Sequence, residues 1–262
     1  MAPRAPVGQR AAGVDPVSGV DPGNDYEALL RAGRAAFPGV RIGRPGRSRG
    51  YWITIAVLRV LRLRWKVDVE GAAQVAPGAA LLIGNHISAA DPLVVVMSTW
   101  WRVTAFTKLE WFQGRLAPFF RLMGQIPLRR GDPAATDWAI AMSTAALAHG
   151  ARVGLYPEGT RSPDPTRLHR LHGRVLVPVL QANPDVPAHA ITTSYTRRPW
   201  RRTRVRVRLS PRLPLDPRSM SPDAMIDLIR AALLELGGQT YVDTSAHTVK
   251  RRRPSPPPPA RP

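Results

Sequence analysis

Residues 79–84, with the sequence AALLIG, are apolar at every position, and this run constrains the fold more than any other feature of the sequence. A strand with one face in water alternates apolar and polar residues, whereas a strand covered on both faces is apolar throughout. Short apolar runs alternate along the chain with longer segments of helical periodicity. This alternation predicts an α/β fold, a single domain with a mostly central β-sheet flanked by helices on both faces.

The elements predicted from these patterns lie within one folded domain, residues 51–246. The predicted strands are 66–70, 79–84, 103–107, 152–156, 188–194 and 203–209. The predicted helices are 92–101, 111–123, 134–149, 168–182 and 222–236. We expect Pro178 to kink or end the fourth of these helices, because proline removes a helical hydrogen bond.

The two ends of the chain have a different composition. Residues 1–50 are predicted to be largely a disordered and linker region: 1–24 are rich in Pro, Gly and Ala, 25–37 form a short helix, and 38–50 are a basic linker. Residues 247–262 are predicted to be a disordered, basic, proline-rich tail.

Composition narrows the function classes. The chain has no cysteine, which excludes disulfides, thiolate metal sites and a cysteine nucleophile. Its 38 Lys and Arg residues exceed the 18 Asp and Glu residues, for a net charge of +20. A charge of this size indicates an anionic partner: a nucleic acid, a membrane surface or a phosphorylated substrate.

The segment from Tyr51 to Leu63 is the most apolar stretch, but it is too short for a membrane span and contains Arg59 and Arg62. We predict that it is an interfacial or core helix. Because the N-terminus also lacks an apolar signal segment, we expect a cytoplasmic protein that associates peripherally with an anionic membrane surface.

The first candidate site directly follows the apolar run. His86 and Asp91 lie in a turn that leads into a helix, at the strand end where α/β folds place ligands. A carboxylate bonded to one imidazole nitrogen fixes the tautomer and leaves the other nitrogen to accept a proton. The alternative is that Asp91 only caps the helix beginning at Pro92 and that His86 has no chemical role. Ser88 is a weaker candidate nucleophile, because no Gly-x-Ser-x-Gly elbow surrounds it.

The second candidate site is residues 156–162, YPEGTRS, which end another strand. Gly159 permits close approach of the backbone to a ligand, Thr160 offers a hydroxyl, and Arg161 offers a guanidinium suited to phosphate. The alternative is an ordinary polar turn with an Arg–Glu surface pair. Arg129 and Arg130, in the segment 124–131, are further cations for the same sheet edge or solvated surface residues.

Together these motifs resemble the glycerolipid acyltransferases, the family that contains 1-acylglycerol-3-phosphate acyltransferase. Asn85-His86-x4-Asp91 resembles the family's His-x4-Asp motif, and residues 156–162 resemble its Glu-Gly-Thr-Arg block. Residues 124–130, Val186-Pro187 and the Lys108-x-Glu110 pair are similar to other family segments, in the same order, over about 65–210.

The resemblance implies transfer of a fatty acyl group from acyl-CoA or acyl carrier protein to a hydroxyl of a lysophospholipid such as 1-acylglycerol 3-phosphate. It implies that His86 is the general base, oriented by Asp91, and that backbone donors near their turn hold the oxyanion. It also implies an acceptor phosphate site, with Glu158 holding an arginine in place. The residues implied for that site are Arg130, Glu158, Gly159, Thr160 and Arg161. It implies no metal, no cofactor and no covalent acyl-enzyme.

Two departures from the family pattern lie near the expected acceptor site. Residues 170–174 read RLHGR, without the family's usual lysine, and Arg129 stands where an acidic residue is common. The sequence therefore leaves open the acceptor head group, including another lipid or a glycolipid, and also the acyl-chain length, the donor carrier and the oligomeric state. Nucleic-acid binding is the competing class, which the net charge and the basic run 250–253 allow, but no recognised binding motif accompanies them.

Overall fold

The structure is a computed structural model that describes residues 26–60, 63, 65–129, 131–197, 199 and 202–252. Its helices are α1 Tyr26–Ala36, α2 Tyr51–Val60, α3 Asp91–Thr99, α4 Ala117–Leu122, α5 Pro133–Ala148, α6 Gly173–Ala182, α7 Pro222–Gly237 and α8 Ala246–Arg252. Its strands are β1 Trp65–Glu70, β2 Ala80–Gly84, β3 Val103–Lys108, β4 Ile126–Leu128, β5 Arg152–Leu155, β6 Arg167–His169, β7 Ala188–Thr196, β8 Thr203–Arg212 and β9 Thr240–Val242.

Seven of these strands form one sheet in the order β1-β8-β7-β2-β5-β3-β4. All neighbours in this sheet are parallel except β7 and β8, which are antiparallel. Strands β6 and β9 pair separately. The predicted α/β fold with a mostly central sheet is confirmed.

Strand β2 lies in the middle of the sheet and is buried at every position, as its apolar sequence predicts. Its side chains alternate between two cores. Leu81 and Ile83 pack with residues of α5, α6 and α7, whereas Ala80 and Leu82 pack with residues of α2 and α3. Helices therefore cover both faces of the sheet.

Two predicted helices differ from the structure. The segment 111–123 is divided between a 3-10 turn, Leu109–Phe112, and α4. The segment 168–182 begins its helix only at Gly173, because residues 167–169 pair with β9. Pro178 lies inside α6 and does not end it. Its neighbours Val177 and Val179 are buried in the core, and this packing outweighs the low helix propensity of proline.

The N-terminal boundary of the domain also requires correction. Residues 26–50, predicted as a short helix and a linker, are packed against α5 in a third hydrophobic cluster that includes Tyr26, Leu30, Phe37 and Trp138. The backbone N–H of Gly46 also donates a hydrogen bond of 2.8 Å to the Thr104 hydroxyl on β3. The folded region that the structure describes therefore begins at Tyr26. Residues 1–25 lie outside the described residues.

The folded region also extends further at the C-terminus than the sequence predicted. Residues 246–252 form α8, and Ala246 is fully buried, so the predicted disorder from residue 247 is wrong as far as 252. Residues 253–262 lie outside the described residues. Among the helices of the described residues, none has both the length and the apolar character that a membrane span requires.

Candidate active site

Strands β2 and β5 are parallel neighbours, with Ile83 paired with Leu155. The segments that follow them, 85–91 and 156–162, therefore emerge at the same edge of the sheet. This placement brings together the two candidate sites that the sequence suggested separately, at the edge where α/β folds usually bind ligands.

His86 and Asp91 are in direct contact. The Nδ1 atom of His86 lies 3.0 Å from Oδ2 of Asp91, whose side chain is fully buried, while the His86 side chain is 20% exposed. An ionised carboxylate only accepts hydrogen bonds, so Nδ1 carries the proton and Nε2 carries the lone pair. The pair can therefore accept a proton at Nε2 and stabilise the imidazolium that forms.

The Asp91 carboxylate is held by four further donors. Oδ2 accepts hydrogen bonds of 2.8 Å from the backbone N–H groups of Ile87 and Ser88. Oδ1 accepts from the Thr193 hydroxyl at 2.9 Å and from the Tyr195 hydroxyl at 2.8 Å. These contacts fix the carboxylate against the imidazole rather than leaving it to rotate.

Sequence reasoning missed Thr193 and Tyr195 as partners of Asp91. Both are on β7, two residues apart and therefore on one face of the strand, and β7 lies next to β2 in the sheet. Alternating polar side chains at the carboxyl end of a central strand are the signal that points to them. Burial beside Asp91 raises the Tyr195 pKa well above its usual range, so this residue remains a hydrogen-bond donor.

The structure does not contain the helix cap that the sequence predicted at Asp91. Helix α3 begins at Asp91 itself, Ala90 is the capping position, and no side-chain hydrogen bond caps the helix there. The Asp91 carboxylate instead points back to the turn and the imidazole. The interpretation of Asp91 as only a cap is therefore wrong.

The turn 156–162 contacts His86 through a backbone hydrogen bond and a ring contact. The N–H of Ser162 donates to the backbone carbonyl of His86 at 2.5 Å, and the Tyr156 and His86 ring centroids are 4.7 Å apart. Gly159 has a φ of 67°, a left-handed conformation that other residues adopt at a cost. The backbone turn, rather than only a close approach to a ligand, accounts for this glycine.

Glu158 occupies a different place from the one expected. Its side chain is buried, with the residue 1% exposed, and its two oxygens accept from the backbone N–H groups of His86 at 2.9 Å and His169 at 3.1 Å. Burial raises the pKa of Glu158 to about 7, although these N–H groups act in the opposite direction. Glu158 thus joins the turn 85–91 to β6, rather than holding an arginine as the sequence argument expected.

The remaining acceptor-site candidates are placed as follows. Arg161 and Gly159 are exposed, and Thr160 is partly buried. The Thr160 hydroxyl accepts a hydrogen bond from Lys250 Nζ at 3.2 Å, a contact that the sequence did not suggest. Arg130 lies outside the described residues.

The expected oxyanion role of the His86 turn conflicts with its hydrogen bonds. The His86 N–H donates to Glu158, and the Ile87 and Ser88 N–H groups donate to Asp91. The Ala90 N–H donates to the Ser88 hydroxyl. These four donors hold the turn together. That other backbone N–H groups near the turn hold the oxyanion stays a prediction. The Ser88 hydroxyl serves the turn as an acceptor.

The arginines of β8 face acidic residues of β1. Arg204 contacts Asp68 at 2.7 Å, and Arg206 and Arg208 contact Glu70 at 3.3 Å and 3.0 Å. These pairs lie on one partly exposed face of β8, while Val205, Val207 and Leu209 are buried on the other.

The site combines an imidazole oriented by a buried carboxylate with a Glu-Gly-Thr-Arg turn, at one edge of a mostly parallel sheet. This is the class of site expected for an acyltransferase. The sequence model of the Acyltransferase family matches residues 66–193. The fold is similar to the crystal structure of the 1-acyl-sn-glycerophosphate (LPA) acyltransferase, PlsC, from Thermotoga maritima, with a TM-score of 0.51 and 17% identity over 77% of this chain and 81% of that chain. A comparison with curated proteins finds no significant match. Residues 66–193 thus match the Acyltransferase family, and the predicted resemblance to the glycerolipid acyltransferases is confirmed at that level.

Proposed function

We propose that this protein transfers a fatty acyl group from the thioester of coenzyme A or acyl carrier protein to a hydroxyl of a lysophospholipid such as 1-acylglycerol 3-phosphate, a reaction of phospholipid biosynthesis. The observation that carries this proposal is the 3.0 Å contact between His86 and Asp91, beside the turn 156–162. The family match and the fold support the acyl-transfer class.

In the proposed reaction, Nε2 of His86 takes the proton of the acceptor hydroxyl as its oxygen attacks the thioester carbonyl. Asp91 stabilises the resulting imidazolium. Collapse of the tetrahedral intermediate breaks the carbon–sulfur bond, and the imidazolium returns its proton to the leaving thiolate. This sequence needs no metal, no cofactor and no covalent acyl-enzyme.

The acceptor's anionic end is proposed to bind at Gly159, Thr160 and Arg161, with Arg130 as a further predicted contributor. Phosphate prefers planar guanidinium groups and backbone or hydroxyl donors. Glu158 supports this site indirectly, because its carboxyl group accepts a hydrogen bond from the backbone N–H of His86.

Association with an anionic membrane surface is part of the proposal. Helix α2 buries Tyr51, Ile55 and Leu58, yet its opposite face is also apolar, with Ile53 72% exposed and Val57 66% exposed. An exposed apolar face on a strongly basic protein is typical of proteins that lie on a lipid surface. A cytoplasmic, peripheral location is consistent with this arrangement.

A vesicle experiment tests the membrane proposal. We expect Ile53→Asp to reduce flotation with anionic phospholipid vesicles, because a charge replaces an inserted apolar group. The matched control is Ala224→Asp, another exposed position, on α7, across the sheet from α2. Flotation unaffected by Ile53→Asp would contradict the role of the exposed face of α2. Tighter binding to duplex DNA than to vesicles at matched salt would favour the nucleic-acid class instead.

The activity itself is tested with labelled acyl-CoA and acyl carrier protein thioesters and a panel of acceptors. The panel contains 1-acylglycerol 3-phosphate, other lysophospholipids, a glycolipid and a monoacylglycerol. The proposal predicts an acylated phospholipid product that requires His86. Transfer to none of these acceptors would contradict the proposal, and transfer to the glycolipid alone would support the alternative acceptor class.

A further inference from the structure

The C-terminal segment of the chain is attached to the residues that follow the turn 156–162. Strand β9 pairs in parallel with β6, with Leu168 opposite Tyr241. Nδ1 of His169 and the backbone carbonyl of Thr244 are 3.0 Å apart. The Arg170 guanidinium binds the Asp243 carboxylate at 2.8 Å. These contacts hold the start of α8 in a defined position next to the candidate acceptor site.

Helix α8 then directs one lysine toward that site. Ala246 is fully buried, and Lys250 lies four residues later, on the same face of the helix. Its Nζ donates to the Thr160 hydroxyl at 3.2 Å, and the Lys250 side chain is partly buried. The neighbouring Arg251 is exposed. Lys250 is thus held at the Glu-Gly-Thr-Arg turn by the geometry of its helix.

The charge at this turn matches a phosphate monoester. Such a group carries a charge of about −1.5 to −2 at pH 7, which one guanidinium does not neutralise. The turn carries the exposed Arg161 next to Thr160 in the chain, and Lys250 contacts the Thr160 hydroxyl. An ammonium has three donors, so Lys250 can contact Thr160 and an anion together.

We infer that Lys250 determines specificity for a phosphate monoester on the acyl acceptor, as an ammonium that the C-terminal helix supplies to the turn 156–162. The inference rests on the proposed function, and it deepens that function by adding a specificity-determining residue from the C-terminal helix. Lys250 also supplies the site with a lysine. Residues 170–174, where the resembled family usually has one, contain none.

The kinetic test compares Lys250→Met, which keeps the aliphatic stem, with Lys250→Arg and with the control Arg251→Ala. With acyl-CoA as donor and 1-acylglycerol 3-phosphate as acceptor, we expect Lys250→Met to raise the acceptor KM about tenfold, the size of one lost hydrogen bond to a charged group. The donor KM should rise much less, Lys250→Arg should restore most of the acceptor KM, and Arg251→Ala should leave both constants unchanged. A merely structural role would alter kcat and both KM values together.

Two kinetic outcomes would overturn the inference. One is an equal rise of both KM values in Lys250→Met. The other is a rise confined to acyl-CoA, whose own phosphates would then be the anion at Lys250.

A binding measurement separates this inference from the proposed function. Glycerol 3-phosphate is titrated into the full-length protein and followed by calorimetry. We expect binding by the wild type that is about tenfold weaker in Lys250→Met and unchanged in Arg251→Ala. Such a result without acyl transfer to any acceptor would support the anion site and contradict the proposed function. Absence of binding by the wild type, or equal binding by Lys250→Met, would overturn the inference.

Discussion

Replacing Asp91 by Asn separates the charge of this residue from its hydrogen bonds. If the amide oxygen takes the place of Oδ2, it accepts from the N–H groups of Ile87 and Ser88 and from the His86 ring. The amide nitrogen then faces the hydroxyls of Thr193 and Tyr195, which can rotate to accept hydrogen bonds. We therefore expect Asp91→Asn to fold and to keep the orientation of the imidazole.

What the variant loses is the attraction between the carboxylate and the imidazolium. Nδ1 and Oδ2 are 3.0 Å apart. Two unit charges about 4 Å apart attract by ~4 kcal/mol at an effective dielectric constant of about 20. Since each 1.36 kcal/mol is a factor of ten in rate, we expect kcat to fall by roughly 10²- to 10³-fold.

The assay measures kcat with saturating donor and acceptor, together with the free energy of unfolding by denaturant. Asp68→Asn is the matched control, because Asp68 is also paired with a cation, Arg204, but on the edge strand β1. Wild-type kcat in Asp91→Asn would refute the charge argument. A large loss in Asp68→Asn would show that the assay reports general damage to the fold.

The remaining predictions concern the acceptor site, the buried carboxyl and the N-terminal helix. Arg161→Ala should raise the acceptor KM more than the donor KM, and equal effects on both would contradict an acceptor-phosphate role. Burial raises the Glu158 pKa from 4.5 to about 7, so the stabilising contribution of Glu158 is fully present below about pH 4.5 and is lost as the pH rises through 7. The stability of wild type relative to Glu158→Gln should therefore fall by about 3 kcal/mol across that window. A difference in unfolding free energy that does not change with pH would contradict the raised pKa. Gly33→Ala places a methyl carbon against the Trp138 ring, closer than van der Waals contact allows, so the free energy of unfolding should fall by about 1–3 kcal/mol. Unchanged stability would contradict the packing of α1.

The central sheet and the contact between His86 and Asp91 were predictable because their signals are local. The apolar run that became β2 needs only its own residues to indicate burial on both faces. His86 and Asp91 lie five positions apart in one turn, and the rule that parallel strands end at one edge brings the segment 156–162 beside them. Local sequence is sufficient for these features.

Other parts of the site depend on contacts between distant residues. Tyr195 is 104 residues from Asp91, and Lys250 is 90 residues from Thr160. Their contacts follow from the register of β7 on β2 and from the pairing of β6 with β9, which no short pattern encodes. Glu158 was misassigned for the same reason, since the backbone groups that it binds belong to other segments.

The N-terminal region shows a different limit of sequence reasoning. Tyr26, Leu30 and Phe37 are buried, but they are sparse among basic and small residues, so composition favoured a linker. Their burial depends on the surface that α5 presents, above all Trp138, whose indole N–H donates to the Leu29 carbonyl at 2.8 Å. An apolar residue in a short basic segment therefore predicts burial only when the surface that covers it is known.

The central claim is that Nε2 of His86 removes the proton of the acceptor hydroxyl. Turnover of labelled acyl-CoA with 1-acylglycerol 3-phosphate by His86→Ala, beside the exposed-histidine control His149→Ala, tests it most directly. The account predicts a loss of at least about 10²-fold in kcat for His86→Ala, the contribution of a positioned general base, with unfolding unchanged and His149→Ala near wild type. Wild-type turnover by His86→Ala would contradict it.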